Sequence, residues 1–556
     1  MKSSDLRIIP LGGLGEVGRN MTLLEWGEKI LIIDAGLSFP EEDTPGIDYI
    51  IPNTNYLQQR KEDIVGLVFT HGHYDHIGAV PYILDRIGNP KMFASDITRE
   101  IIIHREVEFP HRSVPNIKIV KDGSRLNLKP FSVSFFHQNH NIPGNLGLII
   151  ETPVGKIVHT SDFKFDLSPV NGQPTNFKKL EAIGRQGILL LMSDSTDAEV
   201  PGHSLSEKGI NENLKKIISS AKKKVVVATF ASLINRMQQI ISSSEEAGRK
   251  VVLRGRSIKN NVEIAQSLGY LKIKRQTIIS PEKAKFHDPS KLTILCTGTQ
   301  AEERSALIRI ASGEDPFIKV NPGDRVVFSS SVIPGNERAV QLLKDQFYFK
   351  GLEVVHYNMM DIHAGGHAHQ EELKQMIQLI KPKFFMPIHG YFSMLMSHKN
   401  LALKEGIAKK NIVIAENGQV IELNATHFRC AKEKVPANYI LVDGLGVGDI
   451  GEVVLRDRKN LSRDGMFVVV IAINHKTGKI QNSPDIISRG FVYLRRSQKL
   501  LEETRQEVVK IVEQSLGKKD FFDASYIKSS IKERIGEFLF RKTKRRPIVI
   551  PVIIKL

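Results

Sequence analysis

The sequence predicts an α/β protein of two or three domains, and three observations carry that prediction. Its 556 residues exceed what one hydrophobic core ordinarily serves. Short β-branched runs alternate with amphipathic helical stretches through most of the length. Several of those runs end in a polar residue, which is where α/β folds place ligands.

The strand-like runs, in order, are KILIIDAG, IVGLVFT, GLIIETPVGKIVHTSDF, GILLLMSD, KVVVATF, KVVLRG, LTILCTG, DRVVFSS, LEVVHYN and KFFMPIHG. Each is apolar and bounded by charge or turn residues, as a buried strand should be. Asp34, His71, Asp162, Asp194, Thr297, Ser329 and His389 lie at or just beyond their carboxyl ends. Helices are predicted over 206–220 and 371–381, where apolar positions recur at helical spacing and acidic residues open the first turn. Residues 431–438 lack both periodicity and apolar density and read as a linker. A small α+β domain is expected beyond it, over 439–556, with the strand pattern MFVVVIAIN and the helical run SQKLLEETRQEVVKIVEQSL.

A formal charge of +17 attracts polyanions, and nucleic acid is the first candidate partner. Lysine-rich surfaces also serve solubility, so charge alone does not decide. The local runs AKKKVVV (221–227) and RKTKRR (541–546) read as solvated faces. Cys296 and Cys430 give no disulfide framework and read as small buried thiols. No run of about eighteen apolar residues occurs, and the amino-terminal stretch lacks the apolar core of a signal peptide. A cytoplasmic protein without a membrane partner is expected.

The densest chemistry is THGHYDHIGAV, residues 70–80. It follows a strand-like run, so alternation aims His71 and His73 together, while Asp75 and His76 fall where the chain turns. Imidazoles and a carboxylate without a thiolate suit a zinc or manganese ion that does chemistry, since closed structural zinc sites usually draw on cysteine. A polar loop that merely happens to hold histidines is the bland alternative. Further candidates stand apart: His137 and His140 in HQNHNIPGN, His159 and Asp162 in HTSDFKFD, and His389 in MPIHGYF. The glycine-rich LGGLGEVG does not follow a strand and open a helix in dinucleotide-binding order, so a tight turn is the better reading.

These motifs resemble the metallo-β-lactamase fold. The resemblance implies a two-sheet sandwich with its ligands on loops along one edge. By it, His71, His73 and His140 would hold one ion, Asp75, His76 and His389 a second, and Asp162 both, with Asp34 supporting the site from behind. More than two hundred residues separate Asp162 from His389, too many for a loop. That stretch resembles a β-CASP insertion, whose markers would be Asp194, His367 in HAGGHAHQEE, and His389. PLGGLGEVGRNM, ATFAS, GRKVVLRGRS, CTGTQAE, FSSSVIPGNE and the paired VDGLGVGDIG and DIISRGFVYLR are similar to the ribonuclease J family over essentially the whole chain. The expected organisation is a sandwich domain in two parts, 1–204 and 351–430, with the insertion at 205–350 and a self-association domain at 439–556.

The resemblance implies a metal-dependent ribonuclease of RNA maturation and decay, acting on single-stranded RNA as a 5′-to-3′ exonuclease and as an endonuclease. It would use two divalent ions, zinc or manganese. His367, oriented by Asp194, would be the general acid. His363, Ala364, Gly365, Gly366 and His367, with Ser232, Ser329, Ser330 and Ser331, would form a pocket for a 5′ phosphate, because residues without a Cβ let backbone amides approach an anion. The chain would form a homodimer or homotetramer and work with other RNA-degradation proteins. It departs from the family pattern at Asn235 (usually histidine), Gly365 (often serine), Tyr391 (usually glutamate) and Ser161 (usually glycine), and none of these removes an expected ligand. His137, His159, His369 and His398 are expected in supporting or surface roles. Three rivals remain. A small-ester hydrolase would have no use for the insertion, a DNA-directed nuclease differs by no residue visible here, and a non-catalytic RNA-binding subunit should have lost ligands.

Overall fold

The computed structural model describes residues 5–40, 44–109, 112–333, 335–357, 359–360, 362, 364–444, 446–474, 479–491, 497–516 and 523–556. The chain divides into two compact units, 1–38 with 51–439, and 39–50 with 440–556.

In the first unit two sheets face each other. One has eight strands in the order Phe428–Lys434, Gln419–Leu423, Leu6–Gly12, Met21–Trp26, Lys29–Ile33, Ile64–Val68, Met92–Ala94 and Ile117–Ile119. The other has six, Phe384–Ile388, Ile188–Asp194, Gly155–His159, Leu146–Thr152, Phe131–His137 and Arg125–Leu128. Inward-facing Ile8, Leu24, Leu31, Ile33 and Val68 share one core with Val133, Phe135, Leu148, Ile150, Ile157 and Met192, the alternation expected of packed sheets. The α/β class and the two-sheet sandwich are borne out.

Strand direction places the chemistry. Gly155–His159, Ile188–Asp194 and Phe384–Ile388 are mutually parallel, and so are Lys29–Ile33 and Ile64–Val68. Phe131–His137 runs antiparallel to Leu146–Thr152, which is itself antiparallel to Gly155–His159. The segments leaving these strands at 34, 70–76, 138–140, 160–162, 194–196 and 389 therefore emerge where the parallel strands end.

Between Asp194 and His389 the chain builds a third sheet, wholly parallel, in the order Ile278–Ile279, Lys250–Arg254, Leu292–Cys296, Val225–Ala228, Arg325–Phe328 and Glu353–His356. Near-continuous Val and Ile runs suit strands buried on both faces. Its leading helix, Glu207–Ser220, is tied to the loop that carries Asp162. Ser206 caps the helix and donates to Asp166 Oδ1 at 2.8 Å, while Glu207 N donates to Asp166 Oδ2 at 3.1 Å. A buried ion network runs through the same place. Lys164 Nζ lies 3.3 Å from Glu207 Oε1, and Arg236 Nη2 lies 3.0 Å from Glu207 Oε2. Arg236 Nη1 also donates to Ile362 O at 2.5 Å and to Ser329 Oγ at 2.9 Å.

In the second unit Met466–Ile473 lies between Asp485–Arg489 and Ile548–Lys555. Phe467, Val469, Ile471 and Ile473 pack on the helices Gln498–Leu516 and Ala524–Thr543. Among the described residues no helix is long and apolar enough to cross a membrane.

Three expectations are corrected. GLIIETPVGKIVHTSDF is a hairpin, Leu146–Thr152 and Gly155–His159, turning at Pro153 and Val154. The stretch expected as a linker from 431 begins inside the strand Phe428–Lys434, an edge strand with charged side chains that resembles a loop in sequence. Cys430 sits exposed on that strand, unlike the buried Cys296.

Removing one partner from a buried ion network leaves the others uncompensated, at a cost of about 3–5 kcal/mol. Glu207→Ala should therefore lower the thermal unfolding midpoint by several degrees. Glu181→Ala, which removes an exposed partner of Arg185, should leave it unchanged.

Candidate metal centre

Seven of the expected ligands converge. His71, His73, His140 and Asp162 form one group in which a donor atom from each lies within 4.8 Å of the others, and Asp75, His76, Asp162 and His389 form a second. Asp162 belongs to both. Its Oδ2 lies 3.2 Å from His76 Nε2, 3.6 Å from His71 Nε2 and 3.9 Å from His140 Nε2, and its Oδ1 lies 3.4 Å from His389 Nδ1.

In four of the five imidazoles the outer ring nitrogen has a partner that fixes which inner nitrogen is free, while the outer Nε2 of His73 is buried without a hydrogen-bond partner. Gly366 O accepts from His140 Nδ1 at 2.6 Å, and Asp34 Oδ2 accepts from His76 Nδ1 at 2.8 Å. Thr70 Oγ1 gives its own proton to Asp34 Oδ2, 2.8 Å away. It therefore accepts from His71 Nδ1 at 3.1 Å. Thr196 Oγ1 does the same, donating to Asp194 Oδ1 at 2.8 Å and accepting from His389 Nδ1 at 2.9 Å. The bare Nε2 atoms of His71 and His140 then face His73 Nδ1 at 3.0 and 3.1 Å. Three ring nitrogens converge with at most one proton among them, an arrangement that a cation relieves. His389 Nε2 is buried without a hydrogen-bond partner, 3.3 Å from Asp75 Oδ2. The donor set fits divalent metal.

Electrostatics separate the two groups. Burial holds the imidazoles of His71 and His140 well below the ordinary histidine range, and that of His73 at about 4, so all three are neutral at pH 7, the form a metal would need. Burial pulls His76 and His389 down as well, but carboxylates outweigh it. Asp162, Asp75 and Asp34 raise His76 well above its usual value, and Asp162, Asp194 and Asp75 raise His389 to about 10. A metal held by the second group would have to displace those protons.

The backbone around the centre is conformationally costly. Asp34, Ser161 and His389 have φ of 61°, 59° and 54°, a left-handed region that costs non-glycine residues roughly 1–3 kcal/mol each. Ser161 stands where the family pattern has glycine. Its backbone N–H donates to His159 Nδ1 at 3.1 Å, and its Oγ donates to Asn145 Oδ1 at 2.5 Å. Gly36 is needed for space, since a Cβ there would lie 1.6 Å from Asp75 O.

Beside the expected ligands, His367 Nδ1 lies 2.7 Å from Asp194 Oδ2. The His367 ring centroid is 5.2 Å from that of His140 and 5.7 Å from that of His389. Burial opposes protonation of His367, but Asp194 raises it to about 9.

Comparison with known proteins follows the same order along the chain. Residues 14–218 match the metallo-β-lactamase superfamily and 222–347 the β-CASP domain of ribonuclease J. Residues 355–415 match the Zn-dependent metallo-hydrolase RNA specificity domain and 453–556 the ribonuclease J C-terminal domain. The chain is 40% identical to "Ribonuclease J 1" of Streptococcus pyogenes serotype M3, over 100% of this chain and 98% of that protein. It is 35% identical to "Ribonuclease J2" of Bacillus subtilis, over 100% and 99%. The chain belongs to the ribonuclease J family.

Membership makes it a metal-dependent hydrolase of the metallo-β-lactamase and β-CASP nuclease type. A crystal structure described as a protein of unknown function from Enterococcus faecalis V583 is 15% identical, with a TM-score of 0.55 over 76% of this chain and 100% of that one. That likeness is of fold alone.

The residues expected at a 5′-phosphate pocket are less uniform. His363 lies outside the described residues. Ala364 is buried, and Gly366 packs so close that a Cβ would stand 2.3 Å from the His140 ring. Ser232 and Ser331 are half-buried and Ser330 is buried. Ser329 does not serve as expected: its fully buried hydroxyl donates to Ile362 O at 2.7 Å and accepts from Arg236. Its position at a strand end suggests a ligand, but its proton goes to Ile362 O and the Arg236 guanidinium donates to its oxygen.

Sequence reasoning misses Thr70 and Thr196, although Thr70 opens the histidine motif, and it expects Gly366 to offer an amide to phosphate where the structure shows its carbonyl accepting from His140. Partners that orient ligating histidines typically account for 10–100-fold in metal affinity. Thr196→Val should weaken zinc binding by about that factor in a competitive chelator titration, with little change in far-ultraviolet circular dichroism.

Proposed function

We propose that this chain hydrolyses the phosphodiester backbone of single-stranded RNA, trimming 5′ to 3′ from a 5′-monophosphate end and also cutting internally. Two ions, zinc or manganese, would be held by the two donor groups. The carrying observation is the pair of groups sharing Asp162, with the His367–Asp194 pair beside them.

His71, His73, His140 and Asp162 would hold one ion and Asp75, His76, His389 and Asp162 the other. Bound there, divalent ions neutralise phosphate oxygens and lower the pKa of water. The protein's own part is positioning and proton delivery. Asp194 accepts from His367 Nδ1 and keeps the imidazole charged at neutral pH. Nε2 is then free to donate a proton to the departing 3′ oxygen.

The backbone amides of 364–366, with His363, Ser232, Ser330 and Ser331, would hold a 5′ phosphate at a fixed spacing from the metals. That spacing sets single-nucleotide release, and a strand threading past it is cut internally. Asn235 and Gly365 bear on which 5′ end is preferred. The exposed strand face carrying Ile550, Val552 and Ile554 supports self-association of the C-terminal unit. Such a protein would act in the cytoplasm, in RNA maturation and decay, alongside other degradation proteins.

With manganese or zinc added, a 5′-monophosphate RNA should release mononucleotides, and a 5′-hydroxyl or 5′-triphosphate RNA should yield mainly internal cuts. Chelation, or Asp75→Ala with His76→Ala, should abolish both activities while leaving the protein folded. Failure of the unaltered, metal-loaded protein to cleave RNA, with DNA of the same sequence cut instead, would replace this reading by the DNA-directed one. His367→Ala should lower kcat by about 10²–10⁴ with a much smaller change in KM, measured in single-turnover and steady-state assays.

A further inference from the structure

The chemistry above leaves unused an apolar lip at the edge of the metal centre. His389 is followed by Gly390, Tyr391 and Phe392, and both aromatic side chains are 45% exposed. Phe392 opens the helix Phe392–Lys404, and Met396, one turn on along the same face, is 43% exposed. The glycine turn after the strand Leu6–Gly12 reaches the same place. Leu14 and Glu16 both pair with Gly390, the Phe392 ring lies 2.4 Å from where a Cβ on Gly15 would stand, and Val17 is 38% exposed.

Exposed apolar side chains gathered in this way mark a contact surface. Two features select the partner. The first is position: Tyr391 follows the metal ligand His389 by two residues, which keeps its Cα within roughly 7 Å of the ligand's. A base adjoining a phosphate held at that centre therefore falls within reach of a tyrosine side chain at 391. The second is rigidity. Tyr391 caps the helix, its carbonyl accepts from Leu395 N at 3.0 Å, and Gly390 is pinned by the glycine turn. The ring is thus delivered on fixed backbone. A flat aromatic face beside a phosphodiester site suits a nucleobase, and stacking accepts every base because each has a π-face.

We propose that Tyr391, backed by Phe392, stacks on a base next to the scissile phosphate of single-stranded RNA. The inference rests on the proposed RNA hydrolysis and adds to it a residue that grips substrate without reading sequence. It also accounts for a preference for single strands, because a base held in a duplex cannot offer its face.

The test is kcat/KM on one single-stranded 5′-monophosphate RNA and on a series with a single abasic nucleotide moved along it, using the unaltered protein, Tyr391→Ala and Tyr391→Leu. Stacking on one base is expected to account for roughly tenfold. The unaltered protein should lose about that much at one abasic position beside the cut. Tyr391→Ala should lose it on intact RNA and become indifferent to the abasic nucleotide at that position, and leucine should not restore it. Full activity of Tyr391→Ala, recovery with leucine, or a loss equal on every substrate would overturn the proposal, the last by pointing to a structural role. If the unaltered protein cleaves no RNA, the functional reading fails on its own account. The stacking claim is then decided by the same pattern, present or absent, in the Kd values of these RNAs.

Discussion

Asp162 is 2% exposed, and its two oxygens face imidazoles of both donor groups at 3.2 to 3.9 Å. An anion so far from water is tolerable only where positive charge and hydrogen bonds surround it. His76 and His389 supply that charge to one side, and the neutral rings of His71 and His140 leave the other side open to a cation. The sandwich is arranged around this requirement. Parallel strands bring their ends together, and Asp34, Thr70, Thr196 and the Gly366 carbonyl turn the rings of His76, His71, His389 and His140 so that the remaining nitrogen points inward. The left-handed backbone at Asp34, Ser161 and His389 is the cost of crowding so many donors around one carboxylate.

The inserted domain is joined to this centre rather than appended beside it. The helix Glu207–Ser220 begins on Asp166, four residues beyond Asp162, and the Gly366 carbonyl that fixes His140 comes from the segment after the third sheet. His367 thus reaches the expected ligands on a segment whose neighbour, Ile362, is held by Arg236. The segment carrying His367 and the cluster of expected ligands therefore share supports.

Much of this could be read in the sequence because the expected ligands sit at strand ends, where an apolar run stopping at His or Asp is visible. The α/β class followed from the same runs. What could not be read was local. Thr70 and Thr196 look like ordinary turn residues, and only the ring nitrogens they face reveal their purpose. Pro153 and Val154 make a turn too short to interrupt an apolar pattern. Phe428–Lys434 carries an edge strand's charges and so resembles a linker. Ser329 has the position of a ligand, but Arg236, distant in sequence, engages its hydroxyl.

The Lys164–Glu207–Arg236 network has a consequence for anyone treating the chain as modular. Lys164 comes from the sandwich, while Glu207 and Arg236 come from the insertion. Splicing out the insertion would strip a now buried lysine of both the cover and the carboxylate that make its burial tolerable, and grafting in a related insertion would succeed only if its acid and arginine arrived in register. The seam between the two domains is electrostatic, so chimaeras should be cut to carry Lys164 and Asp166 along with the graft.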